Sequence, residues 1–318
     1  MKTLLYIKRI LKSIYKFSQR ERKKLYIVGG FLRDYLLGKR EFLDIDFCLK
    51  SSSINFSRKL AYFLKMGFVI LDKEHSSTRL VKKTKYGLFT IDFNNWRAKT
   101  LKEDLFHRDF TINTLALELK DFFNKEGFER KIIDYYNAKE DLKDKLIRVV
   151  NKRAFDEDPL RILRAFSLAC LLDFKIEPQT LNLIKFKAKK VAGVAGERIR
   201  DELFKILETH KSADYFRLMD ELGVLEVIFP EINSMRNVQQ GPYHHLDVWK
   251  HSIQTQKEAD LLVEELMKNP EIREYLEVVL SGTRTRRSLL KLASLFHDIG
   301  KPKALVYRGG KTTFYGHE

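Results

Sequence analysis

Cysteine is nearly missing from this chain. Cys48 and Cys170 are the only two among 318 residues. They stand far apart, without the spacing of a zinc site, and two are too few for a disulfide framework. A reducing, cytoplasmic setting is the expectation. No apolar run is long enough to cross a bilayer, so no membrane partner is expected. Internal repeats and low-complexity linkers are also lacking, which sets aside repeat arrays. Acidic residues are in short supply, with 43 Asp and Glu against 60 Lys and Arg, a net charge of +17. That excess favours a polyanionic partner, nucleic acid or anionic lipid, without choosing between them. What is present is ordinary for a globular protein, at 44% hydrophobic and 32% charged residues. The length suits two or three domains.

Patterning divides the chain into a basic N-terminal helix (1–24), an α+β head (25–147), an all-α neck (148–235) and a further all-α segment (236–318). Leu4, Ile7, Ile10, Leu11 and Ile14 have helical spacing among Lys and Arg. This helix either packs on the head with a solvated basic face, or is a membrane-surface or transit segment. In the head, Tyr26–Val28, Leu43–Leu49, Phe68–Leu71, Thr78–Val81 and Leu88–Phe93 read as strands. Residues 31–37, 51–66 and Asp109–Leu117 read as helical. Beyond residue 146, 159–172, 179–189, 197–207, 212–222, 248–268 and 289–296 read as helices. The turn-rich stretch from Pro230 to Pro242 marks a boundary.

The first chemically loaded block is Gly29-Gly30-Phe31-Leu32-Arg33-Asp34, followed by Asp44-Ile45-Asp46. Paired glycines before a helix let backbone N–H groups approach a phosphate. Arg33, in the first turn, is placed to neutralise a triphosphate oxygen. Asp44 and Asp46 are two apart on an expected strand and share one face. Carboxylates so placed repel unless cations sit between them, and hard divalent ions such as Mg²⁺ suit that oxygen environment. Two such ions would serve an in-line displacement. Asp92, in Thr90-Ile91-Asp92-Phe93, either completes the carboxylate set or decorates an edge strand.

This block resembles the first motif of the class II nucleotidyltransferases: the CCA-, CC- and A-adding tRNA enzymes and the bacterial poly(A) polymerases. The likeness runs on through His107-Arg108-Asp109-Phe110-Thr111-Ile112-Asn113-Thr114. There the family usually has Arg in place of His107 and Ala in place of Thr114. It continues in Glu157-Asp158-Pro159-Leu160-Arg161-Ile162-Leu163-Arg164 and in Gly196-Glu197-Arg198-Ile199. The resemblance implies addition of C or A, or both, from CTP and ATP to a tRNA 3′ end, with two Mg²⁺ ions at Asp44 and Asp46. It implies that Gly29, Gly30, Arg33 and Arg108 hold the nucleotide, although Arg108–Asp109 also reads as a structural ion pair. Asp109, Thr111 and Asn113 would orient the loop or the sugar.

Asp158, Arg161 and Arg164 lie along one helical face. A carboxylate and a guanidinium can together read a Watson–Crick edge, and the resemblance assigns them that role. An intrahelical salt bridge is the plainer alternative. Some relatives carry a further Arg where this chain has Ser167. Lys185, Lys187, Lys189, Lys190, Arg198 and Arg200 either track the tRNA acceptor stem or form a solvated face. The family's specificity loop would fall within Asp72 to Gly87.

His251, His297 and Asp298, the last two in His297-Asp298-Ile299-Gly300-Lys301, resemble the metal ligands of an HD domain. A second divalent metal is implied there. The pattern needs a distal Asp, and none follows Asp298. Either the chain is a fragment of a longer enzyme, or the unit serves packing or RNA contact. His244 and His245 read as surface or supporting residues; His75, His107 and His210 have no evident partner. Poly(A) synthesis and an HD-type phosphohydrolase with a nucleotide-binding head are the alternative functions.

Overall fold

A computed structural model describes residues 2–39, 41–85, 87–124, 127–241, 245–309 and 311–317, the side chains of 2–4, 308 and 311 excepted. Pro242, His244 and Glu318 lie outside the described residues, as do Tyr86 and the side chain of Leu4. The chain forms two compact units, Met1–Ala154 and Phe155–Glu318. No described helix is long and apolar enough to cross a membrane.

The first unit opens with helix α1 (Lys2–Arg20), strand β1 (Tyr26–Val28), helix α2 (Gly30–Leu36), strand β2 (Asp44–Leu49) and helix α3 (Ser53–Leu64). Strands β3 (Gly67–Asp72), β4 (Ser77–Thr84) and β5 (Gly87–Asn95) follow. Helix α4 (Leu101–Phe106), strand β6 (Ala116–Glu118) and helix α5 (Ala138–Lys143) come next. The strands form one six-stranded mixed sheet in the order β3-β4-β5-β2-β1-β6. Only the β2–β5 pair is parallel; its neighbours run antiparallel.

Period-two alternation decides what each face of this sheet does. Ile45, Phe47, Ile91 and Phe93 are fully buried on one face. There Phe47 and Phe93 stack with centroids 5.1 Å apart, and Phe56 of α3 meets Phe93 edge-on at 5.6 Å. Helix α1 packs on the same side: Phe17 contacts Phe56 at 5.5 Å and Tyr6 meets Phe89 at 5.7 Å. Ile7, Leu11 and Ile14 are fully buried. Each such aliphatic chain contributes roughly 1.5–3 kcal/mol. Of the two readings of α1, the packed helix holds. On the opposite face a cluster of Tyr26, Val28, Cys48, Leu101, Leu105 and Ala116 is covered by α4. That cover stops short of the Asp44 end of β2.

The helix expected over Asp109–Leu117 does not form. Residues Thr111–Asn113 make a single 3-10 turn and β6 begins at Ala116, pairing with β1. Local side-chain bonds win over helix here. The Thr111 hydroxyl donates to Asp141 (2.6 Å), Asn113 donates to Asp109 (3.0 Å) and the Thr114 hydroxyl to the Thr111 carbonyl (2.7 Å). Within the Asp72 to Gly87 stretch, residues Ser77–Thr84 form strand β4 and a turn precedes it. That turn is closed by His75, whose backbone N–H (3.0 Å) and ring Nδ1 (2.8 Å) both meet Asp72.

The second unit is mostly helical, but the segment read as all-α also holds two antiparallel strand pairs, Val279–Ser281 with Arg284–Thr285 and Val306–Arg308 with Lys311–Thr313. Helix α6 (Ala154–Glu157) is followed by α7 (Leu160–Leu172), α8 (Pro178–Lys187), α9 (Gly196–Leu207) and α10 (Ser212–Glu221). Short helices α11 (Leu225–Ile228) and α12 (Ile232–Met235) lead to α13 (Val248–Leu266), α14 (Pro270–Leu276), α15 (Arg286–Phe296) and α16 (Lys301–Ala304). Helices α7 and α9, and α13 with both α10 and α15, pack side by side.

Candidate active site

Strand alternation turns Asp44 and Asp46 onto the face away from the aromatic core. In-register parallel pairing then sets Asp44 beside Thr90 and Asp46 beside Asp92. One carboxylate oxygen from each of Asp44, Asp46 and Asp92 lies within 4.8 Å of the others. Strand β5 sits between β4 and β2, so the edge-strand reading of Asp92 fails. Of the three, Asp44 is exposed, Asp46 half-buried and Asp92 buried.

The electrostatics follow from crowding. Burial and the charge of Asp44 push the Asp46 carboxyl up to about 7, against the opposing pull of Arg108. The Asp46 side chain is still partly open to solvent, yet its carboxyl is hemmed in by neighbouring atoms. Asp44 is raised too, by burial first and by Asp92, while a hydrogen bond from the Thr90 hydroxyl (2.5 Å) opposes the rise. Asp92 is neutralised locally: Arg79 Nε and Nη2 donate to its two oxygens, each at 2.7 Å. Three hard oxygen donors carrying partly uncompensated charge fit a divalent cation such as Mg²⁺.

The glycine turn abuts these acids. Gly29 has φ 75° and ψ −144°, a conformation that suits glycine. A Cβ added there would fall 2.8 Å from Asp46 Oδ2 and 3.2 Å from Arg108 Nη1. The backbone therefore lies directly against the Asp46 carboxylate, with the Arg108 guanidinium alongside. Gly30 opens α2, and Arg33 follows one turn later. Arg33 is buried and held by Asn113 (2.7 Å) and Asp34 (2.8 Å). Asn113 in turn donates to Asp109, so Arg33 is positioned through a fixed chain. Sequence reasoning missed Arg79 and Thr90, which hold Asp92 and Asp44. Arg79 lies on β4, and only the pairing of β4 with β5 brings it to Asp92.

In the second unit Asp158 is not on a continuous helical face with Arg161. It sits in the break between α6 and α7, where Pro159 starts the new helix. Proline has no N–H to donate, and it steers the residue before it away from helical angles. Asp158 accepts from the Leu160 backbone N–H (3.2 Å) and pairs with Arg198 (2.9 Å). Arg161, buried, donates to Glu157 at 3.3 Å. Arg164 faces Glu202 at 3.8 Å, and Ser167 donates to the same carboxylate at 2.5 Å. Among the basic residues, Lys187 and Lys190 pair with Asp156, and Arg200 with Asp201. Lys185 and Lys189 are exposed.

His251, His297 and Asp298 do converge, with one ligand atom of each within 4.8 Å of the others. His297 Nε2 is 3.0 Å and His251 Nε2 3.7 Å from Asp298 Oδ2, and His317 Nε2 is 3.5 Å from Oδ1. The Lys301 ammonium donates to the same Asp298 (2.7 Å) and to Gln240 (2.7 Å).

Comparison with known proteins fits this geometry. Residues 25–148 match the family described as "Poly A polymerase head domain", and residues 173–236 match "Probable RNA and SrmB- binding site of polymerase A". The "Multifunctional CCA protein" of Haemophilus influenzae is 30% identical, the match covering 93% of this chain and 67% of that protein. The chain belongs to the tRNA nucleotidyltransferase and poly(A) polymerase family. The "A-adding tRNA nucleotidyltransferase" of Deinococcus radiodurans is 30% identical over 92% of this chain and 61% of its own length. A "CC-adding tRNA nucleotidyltransferase" of Geobacter sulfurreducens is 38% identical over 64% of this chain and 45% of its own length. The chain thus spans between about half and two thirds of these family members. Among solved structures, "Thermotoga maritima CCA-adding enzyme complexed with tRNA_CCA" superposes with TM-score 0.68 at 28% identity, covering 92% of this chain and 62% of that one. "The complex structure of CCA-adding enzyme with ATP" gives TM-score 0.67 with the same identity and coverage.

Proposed function

We propose that this chain adds C, A or both from CTP and ATP to the 3′ end of tRNA without a template, in the cytoplasm. One observation carries the reading: Asp44 and Asp46 share a face, in register with Asp92, directly against the Gly29 turn. Asp44 and Asp46, with Asp92 beside them, would hold two Mg²⁺. Bound there, the ions supply charge stabilisation at the α-phosphate and the leaving pyrophosphate. Gly29 and Arg108 border Asp46, and with Gly30 and Arg33, the latter fixed by Asn113, they hold the nucleotide. The RNA 3′-hydroxyl oxygen bonds to the α-phosphorus, its proton passing to water, as the bond from that phosphorus to the pyrophosphate oxygen breaks and pyrophosphate leaves. Asp158, Arg161 and Arg164 read the amine-bearing edge of C or A. For this Asp158 exchanges its bond from Arg198 for one from the base. Lys185, Lys187, Lys189, Lys190, Arg198 and Arg200 hold the acceptor stem. The cluster of His251, His297 and Asp298 takes a second kind of divalent metal, in exchange for the Lys301 ammonium.

The test is incubation of the chain with tRNA lacking its 3′ end, Mg²⁺ and each labelled nucleotide in turn. C or A incorporation is expected, falling more than about a hundredfold in the Asp44→Ala/Asp46→Ala variant, beyond the usual loss on removing a mere neighbour of a metal ligand. Long A tails on any RNA would point to mRNA tailing instead. Metal-dependent phosphate release without incorporation would point to the histidine cluster. Undiminished extension by the double variant would end the proposal.

A further inference from the structure

The outward face of α1 carries a row of cations that the carboxylate site does not use. Lys8, Lys12 and Lys16 recur every fourth residue and are exposed, with Arg9 and Arg20 beside them. Residues four apart on a helix stand about 6 Å apart along its axis. Across a groove that Phe17, Arg20 and Glu21 border at the C-terminal end of α1 lies α3, which contributes Arg58 and Lys59, with Lys65 just past its end. Neither helix contains an acidic residue. Glu21, which borders the groove, is already paired with Lys59 at 2.9 Å. Two aromatic rings line the groove beside Arg20, Arg58, Lys59 and Lys65: Tyr62 is 90% exposed and Phe63 45%. Large aromatics left in water within a basic groove are a marker of contact with nucleic acid, where bases stack on the ring and phosphates meet the cations.

We propose that this face of the first unit is a second RNA-binding surface. It holds the sugar–phosphate backbone on Lys8, Lys12, Lys16 and Arg58, and stacks an unpaired base on Tyr62. Helices α1 and α3 pack on the Phe93 face of the sheet, whereas Asp92 and its partners point from the other. A substrate with its 3′ end at the acids therefore reaches the ridge with a different stretch of its chain. That the RNA is the substrate rests on the reaction proposed above; that the face binds RNA does not. A lipid surface is the competing polyanion. An interfacial helix must present a free apolar face to the bilayer. In α1 that face is spent, because Ile7, Leu11 and Ile14 are fully buried in the unit.

The experiment measures binding of labelled tRNA lacking its 3′ end to the full chain, without nucleotides, between 50 and 200 mM salt. Two variants are compared, Lys8→Gln/Lys12→Gln/Lys16→Gln and Tyr62→Ala. All four side chains are solvent-facing, and thermal unfolding checks that the fold is kept. The triple variant is expected to bind at least about tenfold more weakly at 100 mM salt, with a slope of log K against log salt reduced by about 2. Tyr62→Ala is expected to weaken binding about fivefold or more. Replacing the three lysines by arginine should preserve affinity. Unchanged affinity and slope in both variants, or no tRNA binding by the parent chain at 50 mM salt, overturns the proposal. So does retained RNA binding combined with variant-sensitive pelleting on phosphatidylserine–phosphatidylcholine vesicles, which would assign the ridge to lipid. If the parent chain binds tRNA through the ridge but incorporates nothing, the reaction reading fails and the surface stands. Incorporation by a ridge variant with unaltered affinity gives the reverse.

Discussion

At the scale of single residues, the site depends on an atom that is missing. Gly29 allows the chain to turn at φ 75° and leaves room for the Asp46 carboxylate, which a Cβ would approach to 2.8 Å. Alanine there faces two penalties together: a left-handed backbone angle and a collision with a charged oxygen. The backbone strain alone costs about 1–3 kcal/mol. The collision is relieved most easily by moving Asp46, which disturbs the carboxylate cluster rather than the core. Gly29→Ala is therefore expected to lower nucleotide incorporation at least tenfold, a larger effect than its modest loss of stability accounts for. Parallel incorporation kinetics and urea unfolding check this. Incorporation that declines only in step with the folded fraction would show that the turn and the carboxylate are not coupled. The pairing of Asp44 with Asp46, and their place after the glycines, are legible in sequence because both follow from short spacing. Arg79 is not: it lies thirteen residues before Asp92, and only the β4–β5 register brings the two together.

At the scale of elements, the second unit is held by two polar devices. The first is Glu208, just past α9, which caps α15. It accepts from the Thr285 N–H (2.9 Å), the Thr285 hydroxyl (2.8 Å) and Arg287 (2.8 Å). Burial alone would raise its carboxyl, but bonds from Ser288, Thr285 and Arg287 outweigh burial and hold it below the usual glutamate value. A carboxyl depressed in the folded state contributes stability above its unfolded value, and loses it as pH falls through the folded value. Glu208→Gln should thus cost about 1.5–3 kcal/mol at pH 7, a typical worth for hydrogen bonds to a charged group. The gap from the parent should begin to close as pH falls past the unfolded value of about 4.5, and vanish only once pH has passed the lower folded value. Urea titrations across pH read this, and a gap constant with pH would count against it. The second device is Lys291 of α15, 2% exposed, which pairs with Asp260 of α13 at 2.7 Å. Asp260 also accepts from Ser212 and from the Ala213 N–H. Removing one partner strands a buried charge, so Lys291→Met should cost about 3–5 kcal/mol. Adding Asp260→Asn should restore at least half of that, because the charge goes while the amide still accepts. A double variant no more stable than the single one would contradict it.

Element positions were largely legible from periodicity: α3, α9, α10, α13 and β2 to β5 fall where their spacing places them. The failures have a common physics. Over Asp109–Leu117, side-chain hydrogen bonds within the segment and pairing with β1 override a helical spacing of apolar residues. At Asp158, the proline that follows keeps the residue outside α7, so it does not share a helical face with Arg161 and Arg164 as its spacing implies. Strand order is the other blind spot. The parallel β2–β5 pair joins segments separated by three other elements, and no local period encodes it.

At the scale of the whole molecule, the carboxylates, the glycine turn and the Arg33–Asn113–Asp109 chain all lie in the first compact unit. Cation binding therefore needs nothing from the second. In the metal-free chain, Asp44 and Asp46 carry a repulsion that a bound cation removes, and it removes it in the folded state alone, because unfolding disperses the acids. Linkage converts this into stability: Mg²⁺ at ten times its dissociation constant adds about 1.4 kcal/mol. For a unit of this size that is a rise of roughly 3–6 °C in the unfolding midpoint. The rise is expected in the full chain and in residues 1–154 alone. Asp44→Asn/Asp46→Asn is expected to abolish it, and to raise the midpoint in the absence of Mg²⁺ because the repulsion is already gone. Calorimetry of the four samples, each with Mg²⁺ and with chelator, separates this from nonspecific salt effects. Those would act equally on the parent and on the neutralised variant, and an equal shift in both would remove the carboxylates as the metal site.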